Sequence, residues 1–512
     1  MTENEEMADP ARAARILIRG GRIYDHDGDV HQPAVADLLV SAGRIERIAP
    51  RLDAPPGAEV IDAANKLVVP GFVNAHYHSH DVLMKGLFEE LPFDIWTSYT
   101  GASAYGPRSH RETRIRTLIG AAEMLRNGIT TVQDFLTVYP ADEAYVDTVL
   151  AAYEEAGIRV NFAIAARDRT QLDIAPLMAK DLPEAIRSRI FGGPGRTAQQ
   201  ELDFVAGQIT RLGMNPKPLI TWALAPSAPQ RCTPELLEGL AALSRDHKLP
   251  VFTHVYETRP QAAAARVQSV SLLDLLQKAG LLNERLNLVH GVWLSAGDIE
   301  MLAEARARVV HNPMSNLKLK SGAAPILDLH RAGVEVALGC DNYSCAETQN
   351  IFVAMRMLCL LPAITSPEPH PVTAALALRS ATLTGARAVA MEGQIGALKS
   401  GMAADLMVLD LNEPAFVPLN SAARQIVFSE SGAAVDTVLV AGRPVVRGHK
   451  LLTVDEAALA AEAAEISPGF RKEVEAHVKR TADLVAPLLE GNRAAWKTQL
   501  GVARFVGGPK DS

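Results

Sequence analysis

Residues 68–81 read VVPGFVNAHYHSHD, an apolar strand that ends in closely spaced histidines. Side chains two residues apart lie on the same face of a strand, so His76 and His78 can direct their imidazoles at one point. An isolated H-x-H pair is a weak signal in a chain with 14 histidines. Its meaning depends on which polar residues end the other strands.

Eight segments between residues 67 and 341 have the composition of buried strands, and stretches of helix-like periodicity separate them. This alternation is typical of βαβ units and a parallel sheet. Eight such strands favour a closed (β/α)8 barrel over an open doubly wound sheet. The predicted strands are LVVPGFVNAH (67–76), TTVQDF (130–135), RVNFAIAA (159–166), LITWALAP (219–226), PVFTHV (250–255), LNLVH (286–290), ARVVH (307–311) and VEVALGCD (334–341).

Polar residues end three more of the predicted strands. His254 lies at the end of the fifth, with Glu257 three residues later, His290 ends the sixth and Asp341 ends the eighth. The C-terminal ends of barrel strands converge on one face, where barrel enzymes carry their catalytic groups. Three neutral imidazoles and one carboxylate drawn from these ends suit Zn²⁺ or Fe²⁺, and the predicted ligands are His76, His78, His254 and Asp341.

Short strands broken by turn residues flank the barrel at both ends of the chain. We predict that residues 13–70 and 391–455 pair into one β-sandwich around a barrel of residues 71–390. Residues 456–512 are Ala/Leu/Glu-rich and predict C-terminal helices with a polar tail. We interpret these helices as packing elements or a subunit contact without chemistry.

Composition narrows the class of protein and partner. Residues are 48% hydrophobic and 21% charged, as in a globular enzyme or binding protein. A net charge of -8 without Lys/Arg runs predicts no nucleic-acid partner and no binding to anionic membranes. No secretion signal or membrane span is predicted. Four cysteines without C-x-x-C spacing suit the cytoplasm, and the predicted partner is a small-molecule substrate.

Seven motifs follow one another along the chain: ILIRGGRIYD (16–25), PGFVNAHYH (70–78), THVYET (253–258), LVHGVWL (288–294), HNPMSNLKLKSG (311–322), GCDN (339–342) and IGALKSGMAADLMVLD (395–410). In this combination and order they make the chain resemble the amidohydrolase superfamily, and in particular its mononuclear deaminase-like branch. That branch includes adenosylhomocysteine and guanine deaminases and triazine hydrolases. The resemblance implies an α/β fold, a distorted (β/α)8 TIM barrel with a β-sandwich domain built from both chain ends.

The resemblance also implies roles for the strand-end residues. Asp341 would orient a water molecule and take its proton, Glu257 would carry a proton to a ring nitrogen and then to the leaving group, and His290 would stabilise the oxygen formed at the attacked carbon. Dinuclear relatives add a carbamylated lysine at the end of strand four. In this chain the nearest lysine, Lys217, precedes that strand, so we expect one divalent ion, Zn or Fe. Relatives are often dimers or larger, which predicts a homo-oligomer.

The predicted substrate-binding residues are Trp96, Ser227, Tyr256 and His311. Trp96 and Tyr256 could stack on a flat heterocycle or serve only as packing residues. Ser227 stands where nucleoside-deaminating relatives have a histidine. His311 is open to two interpretations, a pocket-lining residue or a group that supports the site from behind.

The resemblance predicts hydrolytic deamination of a small amino-substituted N-heterocycle. Homocysteine-nucleoside deaminases carry a ribose-binding glutamate in the segment that corresponds to residues 97–110, and this chain has none there. A nucleoside is therefore not the expected substrate. One alternative is a hydrolase on the same scaffold that expels an amide, carbamate or halide group. A remote alternative is a non-catalytic binding paralogue.

Overall fold

The structure is a computed structural model that describes residues 15–139, 141–170, 172–178, 182–191 and 195–506. The predicted first boundary at residue 13 and the last six residues of the predicted tail lie outside these ranges. Among the described helices, none has both the length and the apolar character needed to cross a membrane.

Strands dominate both ends of the chain, and strands alternate with helices in its middle. The strands are β1 (Ile16–Ile23), β2 (Val35–Ser41), β3 (Arg44–Ala49), β4 (Glu59–Asp62), β5 (Lys66–Pro70), β6 (Phe72–Tyr77), β7 (Ile129–Leu136), β8 (Arg159–Ala166), β9 (Ile220–Trp222), β10 (Ala225–Pro226), β11 (Val251–Val255), β12 (Leu286–His290), β13 (Arg308–His311), β14 (Val336–Leu338), β15 (Leu406–Asp410), β16 (Val435–Val440), β17 (Arg443–Arg447) and β18 (Lys450–Leu451). The longer helices are Phe93–Thr100, His110–Arg126, Glu143–Ala156, Glu184–Phe191, Ala198–Leu212, Pro234–His247, Arg259–Val267, Leu272–Lys278, Ala296–Glu304, Ile351–Thr365, Ala422–Phe428, Glu456–Arg480 and Val485–Ala495.

Strands β6 to β14 form the TIM-barrel-like part of the fold. Two curved parallel sheets, β10-β8-β7-β6 with β9 beside β8, and β11-β12-β13-β14, lie edge to edge. Leu224 pairs with Val251 at one seam. At the other seam the His76 carbonyl accepts hydrogen bonds from the Cys340 and Asp341 amides at 3.2 and 2.9 Å. Each of the eight predicted strand segments contains a strand, and the fourth is divided into β9 and β10.

The predicted strand 67–76 is in fact two strands in two different sheets. Lys66–Pro70 belongs to the sheet of the chain ends, and Phe72–Tyr77 is the first barrel strand. The chain changes sheets at Pro70-Gly71, because proline cannot donate to a strand ladder. A side chain at Gly71 would collide with Thr130, so only glycine allows this close passage.

The barrel interior is a packed core rather than a pore. Phe135 and Phe252 are its largest members, and both are at most 1% exposed. Small or branched residues from the other strands complete this core. They are Val73, Ala75, Ala163, Ala223, Ala225, Val289, Val310 and Ala337.

Both chain ends contribute to one further sheet of nine strands. Its centre is the antiparallel pairing of β5 with β15, which aligns Val68 with Val408. Asp405, immediately before β15, accepts two hydrogen bonds from Arg159 of barrel strand β8, at 2.9 and 3.0 Å. Both side chains are nearly buried, and this ion pair fastens the end sheet to the barrel.

Removal of the Asp405 charge should destabilise the protein. In Asp405→Asn the Arg159 guanidinium would keep its buried position without a counter-charge, and we expect a loss of about 3–5 kcal/mol in the free energy of unfolding. The measurement is urea denaturation. The control, Glu59→Gln, breaks an exposed ion pair with Arg447 in the same sheet and should cost less than about 1 kcal/mol. Equal losses in the two variants would contradict this account.

Candidate metal centre and active site

The chain turns sharply at the ends of strands β11, β12 and β14, where the polar residues lie. Tyr256, His290 and Asp341 have φ values of 49°, 71° and 71°. These values lie in the left-handed region, which residues other than glycine rarely adopt. Each such residue costs about 1–3 kcal/mol and persists only where surrounding contacts hold it. The strained positions coincide with residues that the sequence predicts to act in catalysis or binding.

Four buried side chains converge at this face. Asp341 Oδ1 lies 3.5 Å from His76 Nε2 and 3.4 Å from His78 Nε2. The His254 ring centroid lies 4.9 Å from that of His76, and one nitrogen from each of His76, His78 and His254 falls within 4.8 Å of the others. The structure therefore brings together all four predicted ligands.

Hydrogen bonds set the tautomers of two of these histidines. His78 Nδ1 lies 2.6 Å from the Phe135 carbonyl, and His254 Nδ1 lies 2.8 Å from the Ser227 carbonyl. A carbonyl can only accept, so Nδ1 carries the proton in each ring, and in the neutral state that binds a metal Nε2 keeps its lone pair. Both lone pairs are thus available to a metal, in the arrangement that metal-binding histidines usually have.

The donor set fits a divalent ion. His76 is fully buried, and neither of its ring nitrogens has a hydrogen-bond partner among the described residues. Burial lowers the pKa of His76 to about 4, which keeps the imidazole neutral and able to bind a cation. Two ligands at about 2.1 Å from a tetrahedral ion lie about 3.4 Å apart, close to the two histidine–Asp341 distances.

Glu257 and His290 lie beside this cluster. His290 Nε2 is 3.8 Å from Glu257 Oε1 and 3.7 Å from Asp341 Oδ2. Burial and, next, the charge of Asp341 raise the pKa of Glu257 well above its usual range, while the charge of Arg231 opposes them. This shift favours the protonated form of Glu257, which a general acid needs.

Ser227 is hydrogen-bonded to the cluster, and Trp96 is hydrogen-bonded to a residue that follows Asp341 in sequence. The Ser227 carbonyl orients His254, and its hydroxyl accepts a long hydrogen bond of 3.4 Å from Arg231. The Trp96 indole donates to the Ser344 hydroxyl at 2.9 Å, three residues after Asp341.

Tyr256 and His311 differ from them in their contacts. The Tyr256 hydroxyl accepts a hydrogen bond from the Leu272 amide at 3.1 Å, and its ring packs in the main core rather than against the imidazoles. The proposed stacking role of Tyr256 therefore has no support from its contacts. His311 is fully buried, without a hydrogen-bond partner among the described residues, and burial lowers its pKa to about 3.

Sequence reasoning missed a group of buried charges next to Ser227. Arg231 forms a two-pronged ion pair with Asp173, and both side chains are at most 4% exposed. Asp94 is 1% exposed, both its oxygens lack a partner among the described residues, and burial raises its pKa to about 7. The signal was a charge in each of two apolar segments, LPFDIW (91–96) and APSAPQRCT (225–233).

The fold and the site define a TIM-barrel-like hydrolase with a centre for a divalent metal. The chain belongs to the amidohydrolase family, whose sequence model matches residues 67–445.

Two relatives show how far the similarity extends. The chain is 31% identical over 442 residues to the 5-methylthioadenosine/S-adenosylhomocysteine deaminase of Pyrococcus furiosus, which covers 86% of this chain and 97% of that protein. It is also 31% identical over 442 residues to the 5'-deoxyadenosine deaminase of Methanothermobacter thermautotrophicus, with coverage of 86% and 95%.

Solved structures agree in fold. An adenosine deaminase from Xanthomonas campestris with bound zinc superposes with a TM-score of 0.77 at 27% identity, over 91% of this chain and all of that one. The zinc complex of an atrazine chlorohydrolase from Arthrobacter aurescens gives a TM-score of 0.77 at 23% identity, over 88% of this chain and all of that one. At that identity the second comparison supports the fold alone.

A methyl group at Gly339 should disturb the metal centre. Its Cβ would collide with Asn312 Oδ1 and lie 2.8 Å from His76 Cβ, so that the last and first strands could not close as they do. We expect Gly339→Ala to bind less zinc or iron per chain, as measured by elemental analysis. The control, Gly207→Ala, has open space for a methyl group on an exposed helix and should bind normally. Unchanged metal content in Gly339→Ala would contradict this interpretation.

Proposed function

We propose that the protein is a metal-dependent aminohydrolase that deaminates a small amino-substituted N-heterocycle. The convergence of four metal-binding side chains with Glu257 and His290 carries this proposal, because hydrolysis at a C=N carbon needs an activated water and a proton carrier. Relatives named as deaminases match 86% of the chain, which favours ammonia as the leaving group.

We propose one divalent ion, held by His76, His78, His254 and Asp341. The absence of a lysine from strand four supports a single ion, because a second would need a bridging carbamate. Lys217 lies before that strand and forms an ion pair with Glu154 at 2.8 Å. Both zinc and iron suit this donor set, and elemental analysis distinguishes them.

The residues around the ion would divide the work as follows. When bound, a divalent ion lowers the pKa of a coordinated water towards neutrality. Asp341 stays ionised, because contacts with His76 and His78 outweigh its burial and hold its pKa well below its usual range, and it would orient the attacking water and take up its proton as the bond to carbon forms. Glu257 would give its proton to a ring nitrogen, take up the hydroxyl proton of the tetrahedral intermediate and pass it to the amine, which departs as ammonia; the proton held by Asp341 then restores Glu257. His290, whose Nδ1 faces the Asn316 side-chain oxygen at 2.8 Å, would accept a hydrogen bond at Nε2 from the attacking hydroxide.

The substrate proposed is a base or similar small heterocycle, not a nucleoside. The relatives are named for nucleosides. This chain, however, has no glutamate in residues 97–110 to bind a ribose, and Ser227 stands at the position where the family resemblance implies a histidine in nucleoside deaminases. Arg231, which is hydrogen-bonded to Ser227, and the protonatable Asp94 belong to the group of buried charges beside Ser227. They would offer a donor and an acceptor to the polar edge of a flat ring.

Metal analysis and a substrate screen test the proposal. The screen measures ammonia from purines, pyrimidines, triazines and ureido compounds, with matched nucleosides, with and without chelator. We expect about one equivalent of zinc or iron per chain. We also expect one of the bases to release ammonia, and a chelator to abolish this release. Bound metal with halide or amine release but no ammonia would replace deamination by the alternative leaving group. Protein without metal or turnover would be a binding paralogue and would refute the proposal.

A conservative change at Glu257 isolates the proton carrier. Glu257→Gln removes the titrating group but keeps the shape, and we expect kcat/KM to fall by about 10²- to 10⁴-fold with metal content unchanged. Glu46→Gln, on the exposed end sheet, is the matched control and should behave like the unmodified protein. Loss of metal from Glu257→Gln would instead make Glu257 a ligand.

We also propose that residues 13–70 and 391–455 form a β-sandwich around a barrel of residues 71–390, followed by helices and a tail in 456–512. One face of the nine-stranded sheet supports this, because its side chains make a core of their own from both chain ends. A flat sheet would leave that face without a second layer. Limited proteolysis tests the boundaries.

A homo-oligomer stays a prediction that light scattering can test. A cytoplasmic location is likewise proposed, and it is supported by four cysteines that are all free and buried.

A further inference from the structure

The end of the chain returns to the catalytic face. Helix Val485–Ala495 and residues 496–506 lie against the loops that follow strands β11, β12 and β13. The family model stops at residue 445, well before this segment, so its contacts are additional to the part of the chain that the family defines. We call residues 485–506 the C-terminal clamp.

Arg259 ties the clamp to the loop that carries Glu257. Its helix begins two residues after Glu257, and its guanidinium donates to the carbonyls of Ala495 and Thr498 at 3.2 and 2.9 Å. The same guanidinium lies 4.4 Å from the ring centroid of Trp496. Hydrogen bonds from a buried cation to two carbonyls fix both backbone segments, because a lost partner would leave the charge poorly solvated.

Arg504 ties the clamp to the loop that carries His290. Its Nε and Nη2 donate to the carbonyls of Val292 and Leu294 at 2.7 and 2.6 Å. Its own carbonyl accepts from the Ala323 amide at 2.9 Å, in the loop after strand seven. One residue of the clamp thus holds two of the loops that rim the site.

An aromatic cluster fills the space between these bonds. Trp293 packs edge-on against Trp496 and at a tilt against Phe505, with ring centroids 6.4 and 6.3 Å apart. The Trp293 indole donates to the Ser321 carbonyl at 2.8 Å. Ser321 closes the loop of Asn316, whose side-chain oxygen faces His290 Nδ1 at 2.8 Å.

We propose that the C-terminal clamp is a positioning element of the active site, which holds Glu257 and His290 in place through Arg259, Arg504 and Trp496. The strained backbone explains why such an element is needed. Tyr256 and His290 occupy left-handed conformations. A hydrogen bond of 2.8 Å from the Trp293 amide to the Tyr256 carbonyl links their two loops. Without outside contacts these loops would relax towards ordinary φ values and displace both catalytic groups.

The proposal rests on the hydrolase function for its kinetic test but not for its structural one. Because the clamp is not placed against substrate, Trp496→Ala and Arg504→Ala should lower kcat about tenfold or more while KM changes by less than about threefold. Metal content should stay as in the unmodified protein. Trp496→Phe keeps an aromatic ring and should restore most of the rate. Lys497→Ala, an exposed neighbour in the clamp, should have no effect.

Hydrogen exchange supplies a readout that needs no substrate. In the two alanine variants the amides of residues 256–262 and 290–296 should exchange at least about tenfold faster, with the barrel interior unchanged. Unaltered exchange in these loops would overturn the proposal, as would full activity. A loss of rate that merely follows loss of metal or of global stability would also overturn it, because the clamp would then be ordinary packing. If no substrate is found, the exchange result alone decides.

Discussion

Closure of the barrel between its first and last strands is the constraint on which the site depends. The His76 carbonyl accepts from the Cys340 and Asp341 amides, so the backbone bonds that close the barrel also carry Asp341 to the imidazoles of β6. Gly339 makes this approach possible, since a side chain there would meet Asn312 and His76. The same contacts therefore close the barrel and position the candidate metal ligands, so a change at this seam should also disturb the metal centre.

Electrostatics explains why this centre can be buried. When all three imidazoles are neutral, as metal binding requires, they and the one carboxylate leave a single negative charge, which a divalent cation would compensate. Burial keeps His76 neutral and raises the pKa of Glu257, so the same low-dielectric surroundings favour an imidazole that could bind a cation and a carboxyl group that could hold a proton. Arg231 is balanced by Asp173, and its field still reaches Glu257.

The sequence predicts the residues whose position follows from strand geometry alone. Every barrel strand ends on the same face, so His254 and Asp341 could be placed together without knowing any contact. Other features depend on contacts between distant segments. The need for glycine at residue 71, where the chain changes sheets, follows from the proximity of Thr130, and the orientation of Tyr256 follows from a positive φ and the Leu272 amide.

The C-terminal segment shows a second reason why part of the site escapes such reasoning. Its helical pattern indicates packing, and packing helices are the ordinary interpretation, but a pattern cannot say which surface a helix covers. Arg504 and Trp496 become informative only once their partners are known to be the loops of Glu257 and His290. The barrel strands thus carry the polar side chains of the site. Contacts from the C-terminal clamp determine how rigidly the loops of Glu257 and His290 are held. Substitutions far from the metal in sequence should therefore change turnover without changing which metal is bound.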